Sequence, residues 1–268
     1  MSKQKIKIKV LGNYAPNLKG IFKYPCSGYY VKGFKEPIML DFGLGIFPRF
    51  LKELKKEAAD IFNTIFIISH NHIDHSFGMI PLSFFLSHKY ILQKIKKISR
   101  KKETGDYKKV KIYLPKRSLM YVYAQLFKKV FDIHVINAET EFIIEDFKFS
   151  FCQTEHRGES YATKIEKDEC NFVYTSDMAY VSRQLKFFCE YSCCTLIDAG
   201  HPNKDSAKTL PGYHGKTQEV IEDLIDVGVR EILASHLKAS LKPEDYMKVF
   251  PEDYNIQLVS KDKEYEIL

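Results

Sequence analysis

The stretch "IFIISHNHIDHSFG", residues 65–78, runs an apolar, β-branched segment directly into His70, His72, Asp74 and His75. The apolar part reads as a buried strand, so the polar cluster stands at the strand's mouth. Imidazoles crowded this closely repel one another when protonated and waste burial when unpartnered. A divalent cation is the physical reason to gather them. Neutral imidazoles with a carboxylate suit zinc, and less well manganese or iron, and the cluster contains no cysteine that would indicate a thiolate site.

Working outward, other apolar runs finish the same way: "FVYTSD" ends at Asp177, "ILASH" at His236, and "FCQTEH" reaches His156. Strand ends on one rim of a layered fold bring distant sequence positions together, which is how rigid scaffolds usually build sites. A lone histidine at a strand end is more often a hydrogen-bonded boundary residue than a ligand. For the crowded 70–75 segment the balance reverses.

Strand-like runs dominate both halves: "KIKIKVLG", "GYYVKG" and "IMLDFG" early, then "EFIIEDFKFSFCQT", "NFVYTSD", "CTLIDAG", "EILASH" and "IQLVSK". Helical patterns lie between them in "FPRFLKELKKEAA", "MIPLSFFLSHKYILQKI", "SLMYVYAQLFKKVF", "KTQEVIEDLIDVG" and "PEDYMKVF". Two groups of strands with helices returning between them predict an α/β chain of two packed sheets covered by helices. No repeat or low-complexity linker divides the 268 residues, of which 45% are hydrophobic, and a single domain over 1–268 is expected.

No apolar run reaches the roughly 20 residues that span a bilayer, and "MSKQKIKIKV" has no apolar signal core. The expectation is a cytoplasmic protein with no membrane contact. The six cysteines (Cys26, Cys152, Cys170, Cys189, Cys193, Cys194) are scattered without C-x-x-C spacing, which predicts buried, reduced thiols. The formal charge of +7 favours polyanions, yet much of it sits in "KIKKISRKK" (94–102) and "KKVK" (108–111). That run is either a solvated helix end and loop or a nucleic-acid patch.

"HNHIDH" matches the H-x-H-x-D-H signature of the metallo-β-lactamase fold superfamily, and the later residues follow in the family's order. The resemblance covers nearly the whole chain. It implies an αββα sandwich, two mixed sheets flanked by helices, with a dinuclear site at one sheet edge. By resemblance, His70, His72 and His156 hold one metal, Asp74, His75 and His236 the second, and Asp177 bridges them. "IMLDFGLG" resembles the family's first motif, in which the aspartate, here Asp41, supports the ligands without binding metal. Two divalent ions are implied, zinc first and manganese as the alternative.

Fold alone names no substrate. β-Lactamases of this fold typically carry cysteine at the bridging position, where this chain has Asp177, and flavodiiron relatives need an acid where His72 stands. "IDAGHPNKDSAKTLPGYHGKTQEVIEDL" instead resembles the phosphodiesterase branch containing ribonuclease Z. There a strand-end glutamate orients a histidine before the next helix; Asp198 replaces the glutamate and "HGKTQE" supplies His214. By that resemblance His214, oriented by Asp198, serves the leaving oxygen, and Asp74 orients the attacking water while binding metal. A helix-capping role for His214 is the rival, His201 in "AGHPN" is a weaker candidate for lining the pocket, and His88 and His134 read as structural.

Only residues 157–176 separate His156 from Asp177, which leaves no room for ribonuclease Z's tRNA-binding arm. A short chain with "YPCSGYYV" near its start resembles the compact cyclic-nucleotide phosphodiesterases of the branch, including phage enzymes of the anti-Pycsar type that destroy cyclic pyrimidine nucleotide signals. The lysine-, isoleucine- and phenylalanine-rich, tryptophan-free composition fits a phage or low-GC bacterium. The implied activity is opening of 3′,5′-cyclic mononucleotides to linear monophosphates, with Tyr29, Tyr30 or Tyr213 as candidate base-stacking groups beside the default of packing. The alternatives are a ribonuclease Z-like RNA endonuclease using the 94–111 stretch, and a non-catalytic nucleotide- or metal-binding protein. A homodimer is expected, because the helices at 79–92 and 118–131 carry more apolar surface than one core needs.

Overall fold

Strict alternation along the strands sorts their side chains into two buried layers, and a computed structural model describing residues 5–15, 23–99, 108–202 and 214–268 shows what each layer meets. In β4 (Ile65–Ile67), Ile65 and Ile67 face the other sheet, whereas Phe66 between them faces helices. A side-chain period of two produces this split wherever both faces of a sheet are covered.

The first sheet has the order β14-β1-β2-β3-β4-β5-β6, from β1 (Lys7–Gly12), β2 (Gly28–Lys32), β3 (Ile38–Leu40), β4, β5 (Val110–Pro115), β6 (Phe131–Ile136) and β14 (Glu264–Glu266). β14 through β3 pair antiparallel and β3 through β6 parallel. The second sheet has the order β13-β12-β11-β10-β9-β8-β7, from β7 (Glu141–Ile144), β8 (Phe147–Gln153), β9 (Tyr161–Lys167), β10 (Cys170–Tyr174), β11 (Cys194–Asp198), β12 (Ile232–Ser235) and β13 (Ile256–Leu258). Its β10 to β13 run parallel and its β7 to β10 antiparallel. Both sheets are therefore mixed.

Ile8, Val10, Val31 and Leu40 of the first sheet pack on Phe149, Ile165, Phe172 and Leu196 of the second to form the central layer. The outer face of the first sheet is covered by α1 (Phe47–Lys56), α3 (Met79–Ser99) and α4 (Leu119–Leu126) through Phe50, Leu82 and Met120. The outer face of the second carries α5 (Arg183–Cys189), α6 (Thr217–Asp226) and α7 (Pro243–Met247) through Leu185, Ile221 and Tyr246. This is the αββα arrangement that the sequence implied. No helix among the described residues is long and apolar enough to cross a membrane.

Several local expectations need correction. "EFIIEDFKFSFCQT" is a hairpin rather than one run, because Glu145 takes a left-handed φ of 57° and turns the chain between β7 and β8. The helix expected over 118–131 ends at Leu126, and Phe131 already belongs to β6. β5 was hidden inside the basic run because Lys109 and Lys111 flank Val110, which is buried with Ile112 and Leu114 on one face of the strand. Cys170 and Cys193 form a disulfide, contrary to the expectation of six thiols, while Cys26, Cys152, Cys189 and Cys194 are buried thiols. Parallel pairing of β10 and β11 brings the starts of the two strands side by side, a proximity their separation of 23 residues conceals.

Candidate metal centre

The chain leaves β4 through Ser69 into His70 and His72, and a single helical turn, α2 (Ile73–Ser76), then presents Asp74 and His75. The loop after β3 and the residue just before β2 clamp that turn. Phe42 N–H donates to the His75 carbonyl at 2.7 Å, and Ser27 N–H donates to the Asp74 carbonyl at 3.0 Å. Gly43 packs so closely that a Cβ there would lie 1.9 Å from the Asp74 carbonyl oxygen. Only glycine permits this approach, which gives "IMLDFGLG" its structural meaning.

The other predicted residues arrive from the second sheet: Asp177 after β10, His236 at the end of β12, and His156 just after β8. Ligand-capable atoms of His70, His72, His156 and Asp177 lie within 4.8 Å of one another, as do those of Asp74, His75, Asp177 and His236. Asp177 is common to both groups: its Oδ2 is 3.6 Å from His70 Nε2 and 3.7 Å from His156 Nε2, and its Oδ1 is 3.1 Å from His75 Nε2. His236 Nε2 is 3.6 Å from Asp74 Oδ2. The structure thus brings all seven residues together in two sets that meet at Asp177.

His70 Nε2, His75 Nε2, His236 Nε2 and both carboxylate oxygens of Asp177 are buried without a hydrogen-bond partner. Orphaned polar atoms are costly in a protein interior, and here they converge on one spot. Such atoms, all imidazole nitrogens and carboxylate oxygens, fit divalent transition cations. Burial alone pushes the His75 imidazole down, but Asp177, Asp74 and Asp41 outweigh it and hold it well above the ordinary histidine range. His70 is driven the other way, by burial first and by neighbouring His75 next. The carboxylates favour positive charge at the centre of the cluster.

Which imidazole nitrogens are bare is decided by Asp41, which is fully buried. His75 Nδ1 lies 2.6 Å from Asp41 Oδ2, and an ionised carboxylate only accepts, so the proton is on Nδ1. The same oxygen accepts from Ser69 Oγ at 2.8 Å and from Tyr174 Oη at 2.5 Å, and Oδ1 accepts from Ser69 N–H at 2.7 Å. Because Ser69 spends its proton on Asp41 and Ser176 donates to Ser69 at 2.7 Å, both hydroxyl oxygens accept from His70 Nδ1, at 3.0 and 3.3 Å. One carboxylate therefore leaves Nε2 of both His70 and His75 free for a cation. Ser27 Oγ, 3.1 Å from His236 Nδ1, plays the equivalent part for the third ring. Asp41, Ser176 and His236 all hold left-handed φ values of 55°, 58° and 56°, a conformation that costs non-glycine residues on the order of 1 kcal/mol each. The surrounding hydrogen bonds hold this strain in place.

At the rim, His214 Nδ1 sits 2.6 Å from Asp198 Oδ2 and 3.9 Å from Asp177 Oδ2, and its ring stacks on His236 with centroids 5.1 Å apart. Burial lowers its pKa, but Asp198 overrides this and raises it to about 9. His201 is buried, with Nδ1 2.8 Å from Lys238 Nζ and its ring 6.0 Å from that of His214; burial, then the Lys238 charge, pushes it down to about 4.

Other candidates fall outside the cluster. Tyr29 and Tyr30 are core residues, 1% and 0% exposed, with hydroxyls bonded to Ser235 and Glu57, so neither stacks on a base. Tyr213 lies outside the described residues. His134 stacks on Tyr113 and pairs with Asp132, and His88 is exposed on α3. Of the 94–111 stretch, residues 100–107 lie outside the description. Lys111 stands level with Ile65 at the start of β4, whereas His70 follows that strand's end. Lys108 and Lys111 are also paired with Glu36. Reading the sequence by residue type missed the serines. Ser69, Ser176 and Ser235 each directly precede a ligand candidate at a strand end, a repeated pattern visible in "ISH", "TSD" and "ASH".

Residues 27–222 match the model of the family described as anti-Pycsar protein Apyc1, and the chain belongs to that family. No curated protein matches it in sequence. The metallo-β-lactamase fold protein YhfI from Bacillus subtilis superimposes with a TM-score of 0.78 at 18% identity, over 98% of this chain and 99% of that one. Short-form human tRNase Z gives 0.70 at 16% identity, over 98% and 99%. Zn2+-bound PqqB from Methylobacterium extorquens gives 0.71 at 13%, over 97% and 99%. These likenesses are of fold, and the fold is that of the metallo-β-lactamases. With its family and this donor set, the chain is a metal-dependent phosphodiesterase.

Proposed function

We propose that this member of the anti-Pycsar Apyc1 family is a dinuclear enzyme, one domain over 1–268, that opens 3′,5′-cyclic mononucleotides to linear monophosphates in the cytoplasm, as a phage enzyme removing cyclic pyrimidine nucleotide signals of its host would. The observation that carries the reading is the convergence of unpartnered, buried imidazole and carboxylate atoms beside the His214–Asp198 pair. His70, His72 and His156 would hold one cation, Asp74, His75 and His236 the other, with Asp177 between them, and zinc suits the set best with manganese next. Bound there, the cations would supply Lewis-acid charge to the attacking water and to a phosphoryl oxygen.

The residues of the chain do the rest. Asp74 accepts a hydrogen bond from the attacking water and orients it. Water adds at phosphorus and releases one proton to solvent, the P–O bond to the ribose breaks with its electron pair on the ribose oxygen, and His214 gives that oxygen a proton and regains one from solvent. Asp198 holds the ring with Nδ1 toward itself, leaving Nε2 for the proton transfer.

The ribonuclease Z-like reading loses support on two counts. Residues 157–176 are largely taken up by the antiparallel β9–β10 pair, with no protruding arm. Lys111, in the stretch that would replace the arm, stands level with the start of β4, at the opposite end of that strand from His70. The exposed apolar faces of α3 and α4, including Phe84, Leu119 and Leu126, support pairing as a homodimer. A panel of cyclic mononucleotides, cyclic dinucleotides and precursor tRNA, assayed with zinc or manganese, tests the assignment. Faster cutting of the tRNA would overturn it.

A further inference from the structure

Lys238 follows two residues after His236, and its ammonium donates to His201 Nδ1 at 2.8 Å. A ring nitrogen that accepts carries no proton, so neutral His201 keeps its proton on Nε2. Both partners are fixed by their surroundings. Thr217 N–H donates to the His201 carbonyl at 2.8 Å, and Lys238 N–H donates to Tyr246 Oη at 2.8 Å, on a tyrosine only 1% exposed. The ammonium is thus held from the backbone end and from the head, on the flank of the site that carries His214, whose ring lies 6.0 Å from that of His201.

What the ammonium lacks is a direct ion pair among the described residues: its hydrogen-bond partner is a neutral ring, and Asp198, whose charge reaches it, is already bonded to His214 and to the Gly200 N–H. Half-buried cations are ordinarily paired, because desolvation without compensation is costly. A phosphodiester brings one negative charge to this site. We propose that Lys238, steadied by His201, is the binding cation for the anionic phosphoryl oxygen of the substrate, on the side of the site away from the metal ligands of the first sheet. This rests on the phosphodiesterase activity and not on the cyclic-nucleotide assignment.

The test uses the zinc- or manganese-loaded protein, inorganic phosphate as the binding probe in calorimetry, and bis(p-nitrophenyl) phosphate as a substrate indifferent to nucleotide preference. Lys238→Met should raise the phosphate Kd and KM by about 10- to 100-fold while kcat and metal content hold, the signature of a charged contact made equally in ground and transition states. Lys238→Arg should retain most of the affinity, and His201→Ala, which loosens the ammonium but keeps the charge, should give a smaller rise. Wild-type phosphate affinity and KM in Lys238→Met would overturn the proposal. So would loss of metal and kcat that arginine fails to rescue. If Lys238→Met does not fold, Lys238→Gln is read the same way, and failure of both to fold makes the lysine structural and equally overturns it. Absence of cyclic-nucleotide hydrolysis in the wild type would count against the substrate assignment and leave these measurements intact.

Discussion

His214 and Asp198 meet at 2.6 Å even though an aspartate stands where the related phosphodiesterases have a longer glutamate. The shorter side chain reaches because Gly200, two residues on, donates its N–H to Asp198 Oδ1 at 2.8 Å and turns the carboxylate toward the ring. A Cβ at Gly200 would lie 3.1 Å from that oxygen and 3.4 Å from His214 Cγ, so a larger residue there would press on the pair.

His214→Ala should lower kcat by about 10²–10⁴, the usual worth of a proton donor to a leaving oxygen, while metal content and KM stay near wild type. Asp198→Asn should fall between the two, since it weakens the charge beside the ring and keeps the ring itself. Near-normal turnover in His214→Ala would reduce "HGKTQE" to a helix-capping segment.

Elemental analysis of the purified protein should find about two transition-metal ions per chain, and chelation should abolish hydrolysis while circular dichroism shows the fold retained. His70→Ala should lose both metal and rate. A protein that binds no metal, and gains no activity on reconstitution, would refute the assignment of the cluster.

Asp41→Ala should be more damaging than its distance from the substrate implies. It would leave Ser69, Tyr174 and His75 donors unaccepted in the interior, at about 1–3 kcal/mol for each donor stranded, and would free the tautomers of His70 and His75. Metal affinity should fall by about 10- to 100-fold, measured by competition with a chromophoric chelator.

The pH dependence of the chelated protein reports on His214. Burial alone would lower its pKa, but Asp198 raises it to about 9 in the folded state, above its ordinary value of 6.5. The imidazolium therefore contributes stability that is present in full below about pH 6.5, the unfolded-state value, and is lost as pH rises through the folded-state value. The difference in urea midpoint between wild type and His214→Ala should be largest in mild acid and shrink in the alkaline range. A difference independent of pH would contradict the charge assigned to the pair.

Leu119, Val122 and Leu126 present 77%, 60% and 76% of their surface on α4, beside Phe84 at 60% on α3. Light scattering should give a dimer mass, and Leu126→Glu with Leu119→Glu should give a monomer that retains its metal. A monomeric wild type at assay concentration would rule the dimer out.

Much of this protein was determined by local sequence. The run from Ile65 to His75 puts a buried strand, a turn and several donors within a dozen residues, because alternation, chain direction and residue type all act over short range. Gly43 belongs to the same local logic, since its need for close approach travels with the motif around Asp41. The tertiary structure alone decided the pairings that cross the sandwich. Ser176 reaches Ser69 over 107 positions, Tyr174 reaches Asp41 over 133, and Lys238 meets His201 over 37. These contacts set tautomers and charges, and they exist because two sheets place their strand ends on one rim. Sheet pairing likewise joined Cys170 to Cys193 and put Tyr29 and Tyr30 in the core. Proximity of that kind follows from packing the whole chain, and no window of sequence contains it.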